Sequence, residues 1–313
     1  ICQELQAQPQ FQILKSSNRM AYLAKQLVQT VRQMGFAMRQ QGQRTNMEPL
    51  QTEVLLGHVG SDQGLQPLRF ELPNQKVVQV RGKIDRIDQL VLPGERYLGI
   101  VDYKSSAHQF NFRDAYYGLA LQMLTYLTAV MQNVSTLTGA DHQTVQPAGA
   151  VYLHLQNPKL KLQDVLKQSF DEAVLAANKY DGILLNDENL LAALDEDLAA
   201  ARTGHSPVYP LQKTISHGYA SRDSKLVTSQ ELDLLLAHNA ALIKAAGTAI
   251  FAGADALNPV KWPDQHTALQ YSPYQPIFQF DAMLPENQYN QLDKLTPQKV
   301  IEMLRHEQTK GDA

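Results

Sequence analysis

The sequence is nearly free of cysteine, with Cys2 as the one example among 313 residues. A chain with one cysteine forms no internal disulfide, and it cannot supply the thiolates of a cysteine zinc site or an all-cysteine iron–sulfur cluster. This usage is typical of a protein that works in a reducing compartment, so we expect a cytoplasmic location.

Long apolar runs and a strong net charge are also missing. No uninterrupted apolar run approaches the roughly 20 residues that cross a bilayer, and the N-terminus shows no basic segment followed by an apolar one. We therefore predict no membrane contact. The formal net charge of −3 provides no global attraction to nucleic acid. Charge is local instead, since residues 1–45 are basic and residues 164–197 are acidic, which fits solvated helix faces or contacts with DNA and a partner.

Apolar periodicity and turn signals divide the chain into three predicted regions. Residues 1–48 form an N-terminal helical segment, and we expect its start to be truncated because Ile1 stands where a methionine would begin a protein. Residues 49–160 read as strands, with 77–87 as one strand, followed by a helix over 112–131 and another strand. This order is typical of an α/β fold with a helical crossover. Residues 161–313 read as a helical and loop extension that closes on this core.

Two aspartates and a lysine lie in two segments that read as the strands of a hairpin. Asp85 lies in the first strand, whereas Asp102, Tyr103 and Lys104 end the second. Because side chains alternate along a strand, Asp102 and Lys104 share one face while Tyr103 points to the other. A divalent cation keeps neighbouring carboxylates ionised, and a lysine beside it can orient or deprotonate a water. The pattern therefore indicates metal-assisted phosphodiester hydrolysis.

Each of these residues also has a structural interpretation. Asp102 follows an apolar strand, where a carboxylate costs free energy unless it is paired or bound to a metal. A plain ion pair between Asp102 and Lys104 is therefore the alternative. Taken alone, Asp85 fits better as a surface acid on a half-exposed strand, paired with Arg86 or Lys83.

The predicted helix over 112–131 carries a polar pair. Gln122 and Tyr126 are four residues apart and therefore lie on one helix face. An amide on an otherwise apolar helix requires a hydrogen-bond partner. That partner is either a backbone group in the core or a functional group.

Segments 82–88, 101–106 and 117–126, in this order and spacing, resemble the RecB-type nuclease domain of the PD-(D/E)xK superfamily. The resemblance is strongest to the C-terminal region of the AddB family, called RexB in lactic acid bacteria. It implies a restriction-endonuclease-like mixed sheet flanked by helices, with a mostly helical and irregular C-terminal extension.

The resemblance also implies a role for each site residue. Asp85 and Asp102 would be metal ligands together with the Tyr103 backbone carbonyl, and Lys104 would position or activate the attacking water. Gln122 and Tyr126 would bind the substrate. Glu53 matches a glutamate on the preceding strand, and its role stays open.

The implied activity is a Mg²⁺-dependent DNA exonuclease, with Mn²⁺ as a substitute, in an ATP-dependent helicase–nuclease. Such enzymes resect double-strand breaks for recombinational repair, and this arm would act on the 5′-ended strand. The implied partners are DNA and an AddA/RexA-type helicase–nuclease subunit in a heterodimer. A non-catalytic DNA-guiding or scaffold module of the same complex is the alternative. We expect the chain alone to be weak or inactive, because the family places a further histidine upstream.

The family's iron–sulfur cluster is predicted to be absent. Three of the family's cysteines lie near the C-terminus, spaced Cys-x2-Cys-x5-Cys, and Leu269, Ser272 and Phe278 stand at those positions. We expect apolar packing to replace the cluster, through Leu269, Tyr271, Phe278 and Phe280.

Overall fold

The computed structural model describes residues 2–57, 64–73, 75–106, 108–139, 144–155, 160, 162–167, 169–221 and 225–311. The strands are β1 Glu48–Leu56, β2 Leu68–Glu71, β3 Val77–Val80, β4 Gly82–Leu92, β5 Glu95–Lys104, β6 Thr144–His154, β7 Asp181–Leu185, β8 Gly204–His205, β9 Gln212–Thr214, β10 Gly218–Ala220, β11 Leu226–Val227, β12 Val260–Lys261 and β13 Asn290–Gln291.

The helices alternate with these strands along the chain. They are α1 Cys2–Gln6, α2 Asn18–Gly42, α3 Phe112–Tyr116, α4 Gln122–Gln132, α5 Val134–Thr138, α6 Leu162–Lys167, α7 Phe170–Ala177, α8 Glu188–Leu194, α9 Glu196–Ala200, α10 Ser229–Phe251, α11 Gln275–Phe278 and α12 Pro297–Gly311. A 3₁₀ helix, Pro9–Lys15, lies between α1 and α2.

A six-stranded mixed sheet forms the centre, in the order β1-β4-β5-β6-β7-β11. The β5–β6 and β7–β11 pairs are parallel and the others antiparallel. The chain crosses from β5 to β6 through α3, α4 and α5, as a parallel connection requires. The predicted mixed sheet flanked by helices is confirmed. Two of its strands, β7 and β11, come from residues after 160.

Two elements predicted as continuous are divided in the structure. The strand predicted over 77–87 splits at Arg81 into β3, which pairs with β2 in a separate small sheet, and β4. The helix predicted over 112–131 splits into α3 and α4, because Gly118 between them has a φ of +77°. A residue in this left-handed region cannot continue a right-handed helix. The break makes Gln122 the first residue of α4.

The core lies between the sheet and the helices that cover it. Helix α4 packs on β5 and β6, and α10 packs on α4. Within the described part of the chain, α10 is the one helix long and apolar enough to cross a membrane. Its Leu232, Leu235 and Ile243 are buried, and Asn239 Nδ2 donates to Thr125 Oγ1 at 2.9 Å. A single helix that meets a criterion of length and composition alone is weak evidence for a membrane span.

The C-terminal tail does not contain the predicted apolar cluster. Tyr271 is 87% exposed and Phe278 45% exposed, so that prediction is wrong. Phe280 instead contacts the ring of Tyr289, with centroids 4.7 Å apart. The five prolines of residues 258–288 interrupt regular structure, which leaves few elements here that can bury side chains against one another.

Candidate functional site

Strands β4 and β5 bring the two predicted aspartates to one level of the sheet. Arg86 pairs with Val101 in the antiparallel register, and Asp85 and Asp102 are the next residues along the two strands. The Tyr103 amide donates to Asp85 Oδ2 at 2.8 Å. Residues opposite each other on antiparallel strands share a face. The structure therefore places both carboxylates together on one face of the sheet.

Asp102 is the buried acid of this pair, with 4% of its surface exposed. Burial raises its pKa above the ordinary value, the neighbouring Lys104 opposes this shift, and Asp85 adds to it. Lys104 Nζ lies 2.5 Å from Asp102 Oδ2. The ion pair expected as an alternative is thus present, and the second carboxylate lies beside it.

Helix α4 places Gln122 against the same lysine. Lys104 Nζ donates to Gln122 Oε1 at 3.0 Å. The amide oxygen therefore contacts the lysine side chain and not a backbone group in the core. One turn further along α4, Tyr126 packs over the start of β4. A Cβ atom added to Gly82 would lie 2.7 Å from the Tyr126 hydroxyl oxygen. The three segments that carried the sequence pattern therefore meet in space.

Glu53 lies on β1, on the other side of β4 from Asp102. It falls between the register pairs Thr52–Arg86 and Val54–Ile84, which places it level with Asp85. Its φ of +58° is unusual for a residue with a side chain. The exposed carboxylate forms an ion pair with Lys83, and this contact raises the Lys83 pKa. The Glu53 carboxylate is therefore paired with Lys83, two residues before Asp85 on β4.

Two histidines near the site were missed by the sequence analysis. His108, in the loop after β5, is close enough to lower the pKa of Asp102. His154, at the end of β6, holds this loop, since its Nε2 lies 2.7 Å from the His108 carbonyl oxygen. In the sequence, the one signal was the position of His108 four residues after Lys104. His154 lies near the site because the parallel β5–β6 register pairs it with Lys104, and this pairing is visible only in the structure.

The donor set suits a hard divalent cation. Among the residues the structure describes, no three His, Cys, Asp or Glu side chains gather closely enough to hold a metal by themselves. Mg²⁺ needs only one or two carboxylates because it keeps several of its waters. Asp85 and Asp102 meet this need, and a cation between them would offset both their repulsion and the desolvation of Asp102.

A family comparison assigns the chain to a superfamily. Residues 2–242 match the model of the PD-(D/E)XK nuclease superfamily. The chain belongs to the PD-(D/E)XK nuclease superfamily. The restriction-endonuclease-like fold class expected from the sequence is thereby confirmed, and the acid–lysine arrangement lies within the matched residues.

Relatives extend this superfamily assignment. The chain is 52% identical to an ATP-dependent helicase/deoxyribonuclease subunit of Latilactobacillus sakei, over 97% of this chain and 26% of that protein. Identity is 51% to the corresponding subunit of Lactiplantibacillus plantarum, over 97% and 25%. It is 39% to that of Enterococcus faecalis, over 96% and 25%. The chain thus spans about a quarter of the length of these relatives and is similar to them along nearly its whole length.

Proposed function

We propose that this chain is a Mg²⁺-dependent deoxyribonuclease domain of the AddB-type subunit of an ATP-dependent helicase–nuclease. One observation carries the proposal: Lys104 lies between the buried Asp102 and Gln122, with Asp85 alongside, in a chain of a nuclease superfamily. A pure scaffold could use the Asp102–Lys104 ion pair alone, but it has no physical need for Asp85 as a second carboxylate beside it, because that carboxylate adds repulsion. The names of the similar proteins support the subunit assignment.

In this proposal each side chain has a distinct task. Asp85, Asp102 and the Tyr103 carbonyl would hold the cation, for which Mn²⁺ would be a substitute. When bound, the cation neutralises charge on the phosphodiester oxygens and lowers the pKa of a bound water. Lys104 orients the attacking water through its ammonium N–H groups. Gln122 Oε1 accepts one of these N–H groups and so fixes the direction of the others.

The finer proposals rest on the family resemblance. The domain acts as an exonuclease on the 5′-ended strand during double-strand break resection and recombinational repair in the cytoplasm. It works with an AddA/RexA-type subunit on DNA. Residues Leu269, Ser272 and Phe278 stand in place of the cysteines, so the domain works without an iron–sulfur cluster.

The test uses the complete two-subunit complex with 5′-end-labelled duplex DNA, Mg²⁺ and ATP. Asp102→Ala and Lys104→Ala are each expected to lower degradation by about 100-fold or more, because each removes a group that acts on the developing charge or the attacking water. Asp264→Ala and Lys299→Ala, at exposed ion pairs outside the site, serve as matched controls with unchanged rates. Undiminished degradation in both site variants would contradict the proposal and favour the DNA-guiding module.

A further inference from the structure

A buried arginine lies directly behind the site. Arg86 is 6% exposed and donates three hydrogen bonds: to Asp88 Oδ2 at 2.7 Å, to the Tyr180 hydroxyl at 2.9 Å and to the Tyr103 hydroxyl at 3.2 Å. A buried guanidinium is costly unless it is paired and hydrogen-bonded. The buried charge of Arg86 is therefore compensated by the Asp88 carboxylate and by two tyrosine hydroxyls.

The geometry of the strands links this arginine to the reactive face. Arg86 follows Asp85 on β4, so it points to the opposite side of the sheet. Tyr103 lies between Asp102 and Lys104 on β5 and also points to that side. Its hydroxyl is held by Arg86, and its amide is held by Asp85 Oδ2 at 2.8 Å. Tyr103 is therefore held at two points, at its hydroxyl by Arg86 and at its backbone amide by Asp85.

The arginine itself has little freedom to move. Asp88 fixes it from the same strand, and Tyr180 fixes it from the residue before β7. Tyr180 is buried and stacks on Tyr209, with ring centroids 5.0 Å apart. The guanidinium carbon lies 5.9 Å from the ring centroids of both Tyr103 and Tyr180. Asp88 and Tyr180 therefore hold the guanidinium in place, and it donates a further hydrogen bond to the Tyr103 hydroxyl.

We propose that Arg86 is a positioning residue, which acts through the Tyr103 hydroxyl to fix the backbone between Asp102 and Lys104. The residue thereby sets the direction of the Asp102 carboxylate, the Tyr103 carbonyl and the Lys104 ammonium group. This inference rests on the proposed function, because it concerns the site at which the cation binds. Partners behind metal ligands control affinity by holding those ligands in place.

The test measures Mn²⁺ binding by electron paramagnetic resonance in the full-length protein within its two-subunit complex. Tyr103→Phe removes one hydroxyl and keeps the ring, and it is expected to weaken Mn²⁺ binding about tenfold. Arg86→Lys keeps the charge but loses the planar fork, and it is expected to weaken binding at least as much. Tyr209→Phe is the matched control, since it removes a buried hydroxyl of the same layer that does not bond Arg86. Its Mn²⁺ affinity is expected to stay within about twofold of the wild type.

The outcomes separate this inference from the proposed function. A wild-type complex with no saturable Mn²⁺ site that Asp102→Ala removes overturns both. A wild-type site whose affinity is the same in Tyr103→Phe overturns the inference alone. Loss of thermal stability in Tyr103→Phe with unchanged Mn²⁺ affinity also overturns it, because it assigns the hydroxyl a purely structural role. Tighter binding by the wild type than by Tyr103→Phe, with Tyr209→Phe unchanged, supports it.

Discussion

At the scale of single residues, the candidate site is organised around the ammonium group of Lys104. The ammonium group of Lys104 contacts Asp102 and Gln122 at once, so neither acid nor amide acts independently. Gln122 was expected from the resemblance to bind substrate. In the structure its side-chain oxygen accepts a hydrogen bond from Lys104. A role in orienting the lysine is therefore the first hypothesis to test.

Replacement of Gln122 by alanine distinguishes these two roles. If Gln122 directs Lys104, Gln122→Ala is expected to lower kcat about tenfold or more with little change in the KM for DNA, because the lost contact serves the reacting group. Steady-state nuclease kinetics of the complex measure both constants. Gln132→Ala, at the exposed end of the same helix, is the control. A raised KM with unchanged kcat would instead assign Gln122 to DNA binding.

The close contact between Gly82 and Tyr126 gives a second prediction at this scale. In Gly82→Ala the new Cβ meets the Tyr126 hydroxyl oxygen at 2.7 Å, so we expect the free energy of unfolding to fall by about 1–3 kcal/mol. Denaturant titration measures this change. Adding Tyr126→Phe is expected to restore part of it, because the nearest clashing atom is removed.

Gly35→Ala is the matched control for this experiment. Gly35 lies in α2 with open space around it, and alanine there is expected to stabilise the protein by about 0.5–1 kcal/mol. Equal stability of Gly82→Ala and the wild type would show that Tyr126 does not pack tightly on β4.

At the scale of elements, the last helix is attached beside the loop that leads to α4. The Tyr116 hydroxyl, at the end of α3, donates to Glu307 Oε1 on α12 at 2.6 Å. The Tyr116 ring stacks on His238 of α10, with centroids 5.0 Å apart. Helices α3, α10 and α12 therefore meet at one tyrosine, close to the start of the site helix.

This contact predicts a dependence of stability on alkaline pH. Burial and the hydrogen bond to Glu307 raise the pKa of Tyr116 to about 12. The unfolded-state pKa is lower, about 10. The protonated Tyr116 hydroxyl therefore stabilises the folded protein below pH 10, and this contribution is lost as the pH rises towards 12. The stability difference between wild type and Tyr116→Phe is expected to shrink across this interval, as measured by denaturant titration at each pH. A difference that stays constant from pH 9 to 12 would contradict the assignment.

At the scale of the whole molecule, the central sheet is completed by distant parts of the chain. Strand β6 pairs with β5 on one side and with β7 on the other. Ile183 of β7 is fully buried, as are Ala150 and Leu153 of β6. The region predicted as an extension thus supplies both strands at one edge of the sheet.

This arrangement predicts the behaviour of a shortened chain. Residues 1–160 alone are expected not to fold cooperatively, because β6 would become an edge strand with exposed apolar side chains. Circular dichroism during heating measures this, with the complete 313-residue chain as the control. A sharp thermal transition in the shortened chain, at a temperature near that of the control, would refute the prediction.

The sequence by itself determined which residues are the candidates for the chemistry. Alternation along a strand is a local property, so the shared face of Asp102 and Lys104 followed from their spacing of two. The α/β class followed equally from the order of strands and helices. The split of the helix over 112–131 was not foreseen, because only the observed conformation shows that Gly118 adopts a positive φ.

The tertiary structure alone decided which of these residues touch. Lys104 and Gln122 meet because α4 packs across β5 and β6, and Arg86 reaches Tyr103 and Tyr180 because β4, β5 and β7 belong to one sheet. Such contacts join residues 17 to 94 positions apart. Local periodicity specifies the face on which a side chain lies, whereas packing of the whole chain specifies what that side chain meets.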